Sequence, residues 1–231
     1  MKKQIIGAVV LIAALMMTGC GNKSAQKNVK SQEEKKEVKD NRMLIIVDPQ
    51  IDFTTGSLAT AKGPEAMDCL AQAIDNGVLN KYAWVIITQD AHPTNHCSFV
   101  ENGGVFPPHC VQGTEGMNVY PPLQKALDNS RSGNYHYFTK GDLADKEEFS
   151  VFQNAQSGEK LSTLITEEKV EGIDICGIAT DYCVYETAKD LMAFYPAKQI
   201  RIITNCIAAV DDNDTKLEEL MKENSIEGIT F

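Results

Sequence analysis

The densest group of chemistry-bearing side chains in this sequence is Asp90-Ala91-His92, followed by His96 and, past Pro107-Pro108, by His109. Three of the four histidines fall within eighteen residues of one another, in a segment that already carries a carboxylate. One carboxylate and two imidazoles form a donor set that a divalent ion such as zinc, iron or manganese accepts while keeping positions open. At a strand end the alternate residues of Asp90-x-His92 face the same side, so both can reach one ion, and the two prolines stiffen the approach of His109. His96 is a candidate fourth ligand or a partner that orients the others. His136 stands alone and reads as structural.

A second group is Gly177-Ile178-Ala179-Thr180-Asp181-Tyr182-Cys183-Val184, where an apolar run turns into a helix-like stretch. A cysteine in the first turn of a helix has its thiolate stabilised by the free N–H groups and the helix dipole. The same N–H groups can hold the oxyanion of a tetrahedral intermediate. Cys183 has this placement, whereas Cys176, inside the run, reads as a packing residue. Asp48, ending the run Met43–Val47, points into the same expected crevice, and Asp52 reads as a turn or cap residue. Lys140-Gly141 closes a weaker run, and its strand-end position is what singles it out.

The elements that position these groups are short apolar runs alternating with helix-like stretches. The runs are Met43–Val47, Ala83–Ile87, Tyr135–Phe138, Ile173–Ile178 and Ile200–Ile203; the stretches lie at about 65–77, 159–168, 182–194 and 214–224. Runs without strict alternation suit strands buried on both faces. The alternation implies βαβ units with right-handed crossovers. The expected fold is a three-layer α/β/α domain with a mainly parallel, Rossmann-like sheet of about six strands. In such sheets ligands sit beyond the carboxyl ends of the strands, where Asp48, Asp90, Lys140 and Cys183 fall.

The first forty residues read differently. Lys2 and Lys3 precede an unbroken apolar run, Ile5–Met17, that ends at Thr18-Gly19-Cys20. A run this short, with these flanks, is a secretory signal rather than a spanning helix. The small residue before Cys20 resembles a bacterial lipobox, although Met17 stands where leucine is commoner. That resemblance implies a lipoprotein signal peptide at 1–20, cleaved before an acylated Cys20. Residues 21–42 are nearly free of apolar side chains and read as a disordered, charged tether. The expected product is exported and held outside the cytoplasm on a membrane by its lipid alone, two or more acyl chains sufficing for stable attachment. The domain at 43–231 carries thirteen basic against twenty-eight acidic residues, a formal charge of −15. Such a surface excludes nucleic acid as a partner and disfavours polyanionic substrates. The seven cysteines show no CxxC pair and so no zinc-ribbon framework.

Taken together, Asp48-x-Gln50-x-Asp52-Phe53, Asp90-x-His92-Pro93, Pro107-Pro108-His109-Cys110-x-x-Gly113-Thr114, Lys140-Gly141 and Gly177–Val184 resemble the nicotinamidase/pyrazinamidase family of isochorismatase-like cysteine hydrolases. The resemblance runs from about Met43 to the C-terminus. It implies a catalytic triad of Asp48, Lys140 and Cys183, with an oxyanion hole from the N–H groups of Ala179 and Cys183 and a cis peptide between Ile178 and Ala179. It further implies one divalent ion, zinc before iron or manganese, on Asp90, His92 and His109, orienting a pyridine ring. Phe53, Phe106 and Phe149 match positions that line the ring pocket. The implied reaction is hydrolysis of nicotinamide, or a similar aromatic amide, to the acid and ammonia through a thioester. An exported enzyme of this kind would serve pyridine nucleotide salvage from external nicotinamide, and an oligomer is compatible with it.

The sequence departs from the family at Ala91 and Phe106, where tryptophan is common, and at Phe149, where tyrosine is frequent. Two alternatives remain at this stage. One is another isochorismatase-like amidohydrolase acting on a different small amide. Ureido- and carbamoyl-group hydrolases generally lack the metal donors, and isochorismatase itself takes a dianion and needs no cysteine. The other is a non-catalytic surface lipoprotein that captures pyridines, for which a nucleophile would be superfluous.

Overall fold

The computed structural model describes residues 40–130, 135–211 and 214–231. The expected signal segment, Cys20 and the tether up to residue 39 lie outside the described residues. The tether's last residue is part of the domain: Arg42 opens the first strand and pairs with Asp174.

Among the described residues six strands form one sheet: β1 (Arg42–Val47), β2 (Trp84–Asp90), β3 (Tyr135–Lys140), β4 (Gly172–Ile178), β5 (Ile200–Ala208) and β6 (Glu227–Ile229). Their order is β3-β2-β1-β4-β5-β6, and every neighbouring pair is parallel. The helices are α1 (Ile51–Thr54), α2 (Gly63–Asp75), α3 (Pro121–Asn129), α4 (Ala155–Glu167), α5 (Cys183–Leu191) and α6 (Thr215–Asn224).

The side-chain alternation along β1 builds the three layers. Leu44 and Ile46 enter one apolar cluster with Met67 and Leu70 of α2 and Leu123 of α3. Met43, Ile45 and Val47 enter the other with Leu161 of α4, Val184 of α5 and Leu217 of α6. All five are fully buried, which is why β1 reads as a continuous apolar run. In α2, buried Ala66, Met67, Leu70, Ala71 and Ile74 recur at helical spacing behind a proline in the first turn. β3 is an edge strand with a partly exposed, mixed pattern, and this explains its weak sequence signal.

Two elements differ from expectation. Helix α3 opens on Pro121-Pro122, a pair that reads as a breaker but occupies first-turn positions that lack a helical donor anyway. Strand β6 has only three residues, none buried, and leaves no apolar run to read.

Order along the sheet reverses at β1, with β2 on one side and β4 on the other. Residues at or just past the carboxyl ends of β1 to β4 therefore face a common crevice.

Candidate active site

Asp48 follows β1 in a left-handed conformation, φ +44°, that turns its carboxylate back over the strand ends. Lys140 ends β3 directly opposite Asp90, the last residue of β2. Cys183 opens α5 after the turn Ala179–Tyr182 that follows β4. That turn contains the expected cis peptide between Ile178 and Ala179. Tyr182 and Val184 both donate their N–H to Ala179 O, at 3.2 and 2.9 Å, and fix the start of the helix.

Lys140 is the hub of these groups. Its fully buried ammonium lies 2.9 Å from Asp48 Oδ2, 2.5 Å from Asp90 Oδ1, 3.5 Å from Cys183 Sγ and 3.2 Å from the Glu148 carbonyl. Asp48 Oδ1 accepts from the Thr88 hydroxyl at 2.7 Å. Its Oδ2 has the ion pair with Lys140 but no well-aligned donor among the described residues. Acceptor atoms of Asp48 and Asp90 and the Cys183 sulfur all lie within 4.8 Å of one another.

Burial sets the electrostatics. It raises the Asp48 carboxyl above the usual carboxylate range, and Lys140 only partly offsets this. Asp90 is equally buried, yet Lys140 and then His92 outweigh burial and hold it well below that range. Burial works against the Lys140 charge, but Asp48 and Asp90 overcome it and push the ammonium well above its ordinary value. The Cys183 thiol is raised well above its ordinary value, by burial first, with Lys140 opposing and the two carboxylates adding to it. Burial thus works against the thiolate that a first-turn cysteine favours, next to a carboxylate whose own affinity for a proton is raised.

Asp90, His92 and His109 each present one ligand atom, and these lie within 4.8 Å of one another. The Nδ1 atoms of His92 and His109 contact the carbonyls of Gly141 and Pro107, both at 2.8 Å. A carbonyl fixes Nδ1 as the donor, so the lone pair of each ring is on Nε2. A buried carboxylate beside two imidazoles in this tautomer fits a divalent ion. Gly141, φ +63°, lies so close to His92 that a β-carbon would come within 2.5 Å of the ring, so a side chain there would displace it. His96, together with His92 and Glu147, also brings ligand atoms within 4.8 Å. Both its ring nitrogens are engaged, however, with Ser98 Oγ at 2.6 Å and the Lys146 carbonyl at 3.0 Å. It stacks on His92 with centroids 4.0 Å apart, and of the two roles expected for it the geometry favours the orienting one.

The aromatic residues expected at the pocket, Phe53, Phe106 and Phe149, line one narrow cavity with Asp90, His109, Ala179 and Cys183. Tyr182, unmarked in the sequence reading, joins this wall and contacts both Phe106 and Phe149, with centroids 5.6 and 5.4 Å away. Phe99, also unmarked, is fully buried and meets His92, His96 and His109 edge-on at 5.5 to 5.7 Å. The Gln50 side chain clamps Asp90 from both sides, donating to its carbonyl and accepting from its N–H, each at 2.8 Å. Glu148, buried, accepts from Gly141 N at 2.9 Å and from Asn154 at 2.8 Å, securing the loop after Lys140. Asp52 does more than cap a turn: its carboxylate accepts from Cys110 N at 2.7 Å and so anchors the loop that carries His109. His136 lies away from these groups, tilted against Trp84.

An isochorismatase domain family model matches residues 42–226. The nicotinamidase/pyrazinamidase of Mycobacterium tuberculosis is 32% identical over 195 residues, covering 80% of this chain and 97% of the relative. The nicotinamidase of Escherichia coli is 29% identical over 209 residues, covering 82% and 93%. Among solved structures, the pyrazinamidase of Pyrococcus horikoshii in complex with zinc superposes with a TM-score of 0.67 at 29% identity, over 83% of this chain and 99% of that one. PnC1 from L. infantum in complex with nicotinate does so with a TM-score of 0.71 at 30% identity, over 83% and 93%.

Proposed function

The chain belongs to the isochorismatase domain family, on its nicotinamidase side, and is a hydrolase of amide C–N bonds; from that premise we propose that it converts nicotinamide to nicotinate and ammonia with Cys183 as nucleophile. The observation that carries this is the single ammonium of Lys140 held between Asp48 and Cys183, the latter a residue that lines an aromatic cavity. The lining suits nicotinamide by its chemistry, since Phe53, Phe106, Phe149 and Tyr182 offer apolar contact to a flat, neutral ring.

Asp48 takes the thiol proton as the sulfur attacks the carboxamide carbon. Its raised proton affinity suits this role, and its poorly engaged Oδ2 is the atom that accepts. The N–H groups of Ala179 and Cys183 receive the developing oxyanion. Asp48 then returns the proton to the departing nitrogen, ammonia leaves, and a thioester remains on Cys183. Water hydrolyses it to the acid, with Asp48 again removing the proton. Lys140 keeps the carboxylate and sulfur in register throughout. Asp90, His92 and His109 would hold a divalent ion, for which we favour zinc; when bound, it supplies a Lewis-acid anchor for a ring nitrogen.

Ammonia release from nicotinamide by the purified full chain tests this reading. We expect turnover that falls after metal chelation and returns with added zinc. Cys183→Ala should still bind nicotinamide, seen by calorimetry, yet release no ammonia. Ammonia release by that variant would overturn the assignment of the nucleophile, and undiminished turnover in a metal-free sample would remove the proposed ion from the reaction.

We further propose, from residues 1–20, that the enzyme is exported and anchored through acylated Cys20. Cys20→Ser should then move the protein from the membrane fraction to the soluble one, and unchanged membrane association would refute the anchor.

A further inference from the structure

A second cysteine-bearing locus lies away from the cavity, between α2 and β5. Cys69 on α2 and Cys206 on β5 bring their sulfurs to 3.7 Å, although 137 residues separate them in the chain. Cys69 is partly exposed and Cys206 is fully buried. Asn205 braces the pair: its side-chain N–H donates to the Cys69 sulfur at 3.2 Å and to the Phe231 carbonyl at 3.1 Å. The Phe231 N–H donates back to the Asn205 side-chain oxygen at 3.1 Å. The β4–β5 ladder slips here, for Ile175 pairs with Ile202 but Gly177 pairs with Ile207. Cys206 therefore lies in an irregular stretch of β5, from which its sulfur has to close from 3.7 Å to the disulfide bond length of about 2.05 Å.

We propose that Cys69 and Cys206 are a redox modification site, an internal disulfide that staples α2 to β5 when the folded chain meets a small-molecule disulfide. The proposal is independent of the reaction assigned to the cavity. Cys69, the reachable thiol, attacks one sulfur of the oxidant as its thiolate; the oxidant's S–S bond breaks and its other half leaves as a thiol. Cys206 then loses its proton and attacks the Cys69 sulfur, expelling the second half of the oxidant. Two electrons and two protons pass from the cysteine pair to the oxidant, which departs as two thiols. Cys176, fully buried in the same apolar cluster, is a competing partner.

The test is treatment of the full chain with glutathione disulfide, on a Cys183→Ala background so that the cavity thiol does not compete. We expect non-reducing peptide mapping to give one cross-linked pair, through Cys69 and Cys206. The thermal midpoint should rise by about 5–10 °C relative to the same sample reduced with dithiothreitol. Adding Cys69→Ser, a change at a partly exposed position, should abolish both effects, and adding Cys206→Ser should stop the reaction at a glutathione adduct on Cys69. A persistent adduct on Cys69 with Cys206 intact, a bond to Cys176, or no cross-linked peptide would overturn the site. A Cys69–Cys206 bond that leaves the midpoint unmoved would overturn the staple.

Discussion

The sheet buries an aspartate near each end of its strands, and the two are built to opposite purposes. At the amino ends, Asp174 of β4 accepts from Arg42, from two nitrogens of Arg201 at 2.8 and 2.6 Å, and from the Tyr82 hydroxyl at 2.6 Å. At the carboxyl ends, Asp48 has one hydroxyl on Oδ1 and a shared ammonium near Oδ2. Both carboxylates are fully buried. Burial alone would raise both, but Arg201, Arg42 and Tyr82 bring Asp174 below the ordinary carboxylate range, whereas Asp48 remains above it. Satisfaction, not burial, separates an acid that is held ionised from one whose proton affinity is raised. A carboxylate with every lone pair engaged has no site left for a proton.

The contrast can be broken at three points, ordered by their expected effect on stability. Lys140→Ala leaves Asp48 and Asp90 facing each other without a counter-charge; it should cost about 3–5 kcal/mol in urea unfolding and abolish ammonia release. Asp174→Asn should cost about 2–4 kcal/mol, because two guanidinium groups lose their charge partner, yet leave turnover nearly intact. It also changes the pH profile. A depressed carboxyl lends stability that is present above its unfolded value of about 3.9 and is lost as pH falls through the folded one. The Asp174→Asn urea midpoint should therefore decline less than the wild type's on acidification below about pH 4.

Asp48→Asn is the smallest change in stability, within about 1 kcal/mol, since a raised carboxyl works the other way and weakens the fold as pH rises through its folded value. Ammonia release should nevertheless drop by about 10²–10⁴-fold. A large stability loss there would show Asp48 to be a structural acid after all, and the contrast would fail.

Which parts of this arrangement the sequence announces follows from the range of the interactions. Asp48, Asp90, Lys140 and Cys183 are legible because each ends an apolar run or starts a helix, a local signal. His92 and His109 are legible because histidine is scarce and these cluster. The roles of Gln50 and Tyr182 are not, because they arise from contacts between segments far apart in the chain; those of Phe99 and Glu148 are not, because they arise within irregular loops that imprint no periodic pattern. Asp174 lies unmarked inside an apolar run, and only its partners Arg42 and Arg201, from β1 and β5, explain why a charge is tolerated there. The fold was legible for the same reason as the strand-end residues: strands buried on both faces and amphipathic helices imprint local patterns. Three-residue β6 and proline-opened α3 imprint none.

The central placement of β1 has a kinetic meaning. Asp48 and Cys183 meet only once β1 has zipped to β4, a pairing that joins Val47 to Gly177 across most of the domain's length. Contacts so distant in the chain are slow to form, since a long loop must close before they stabilise anything. A half-built sheet can carry helices and much of its apolar packing, but it cannot bring Asp48 to Cys183, and on the proposed mechanism competence during refolding returns only when the sheet closes at its centre.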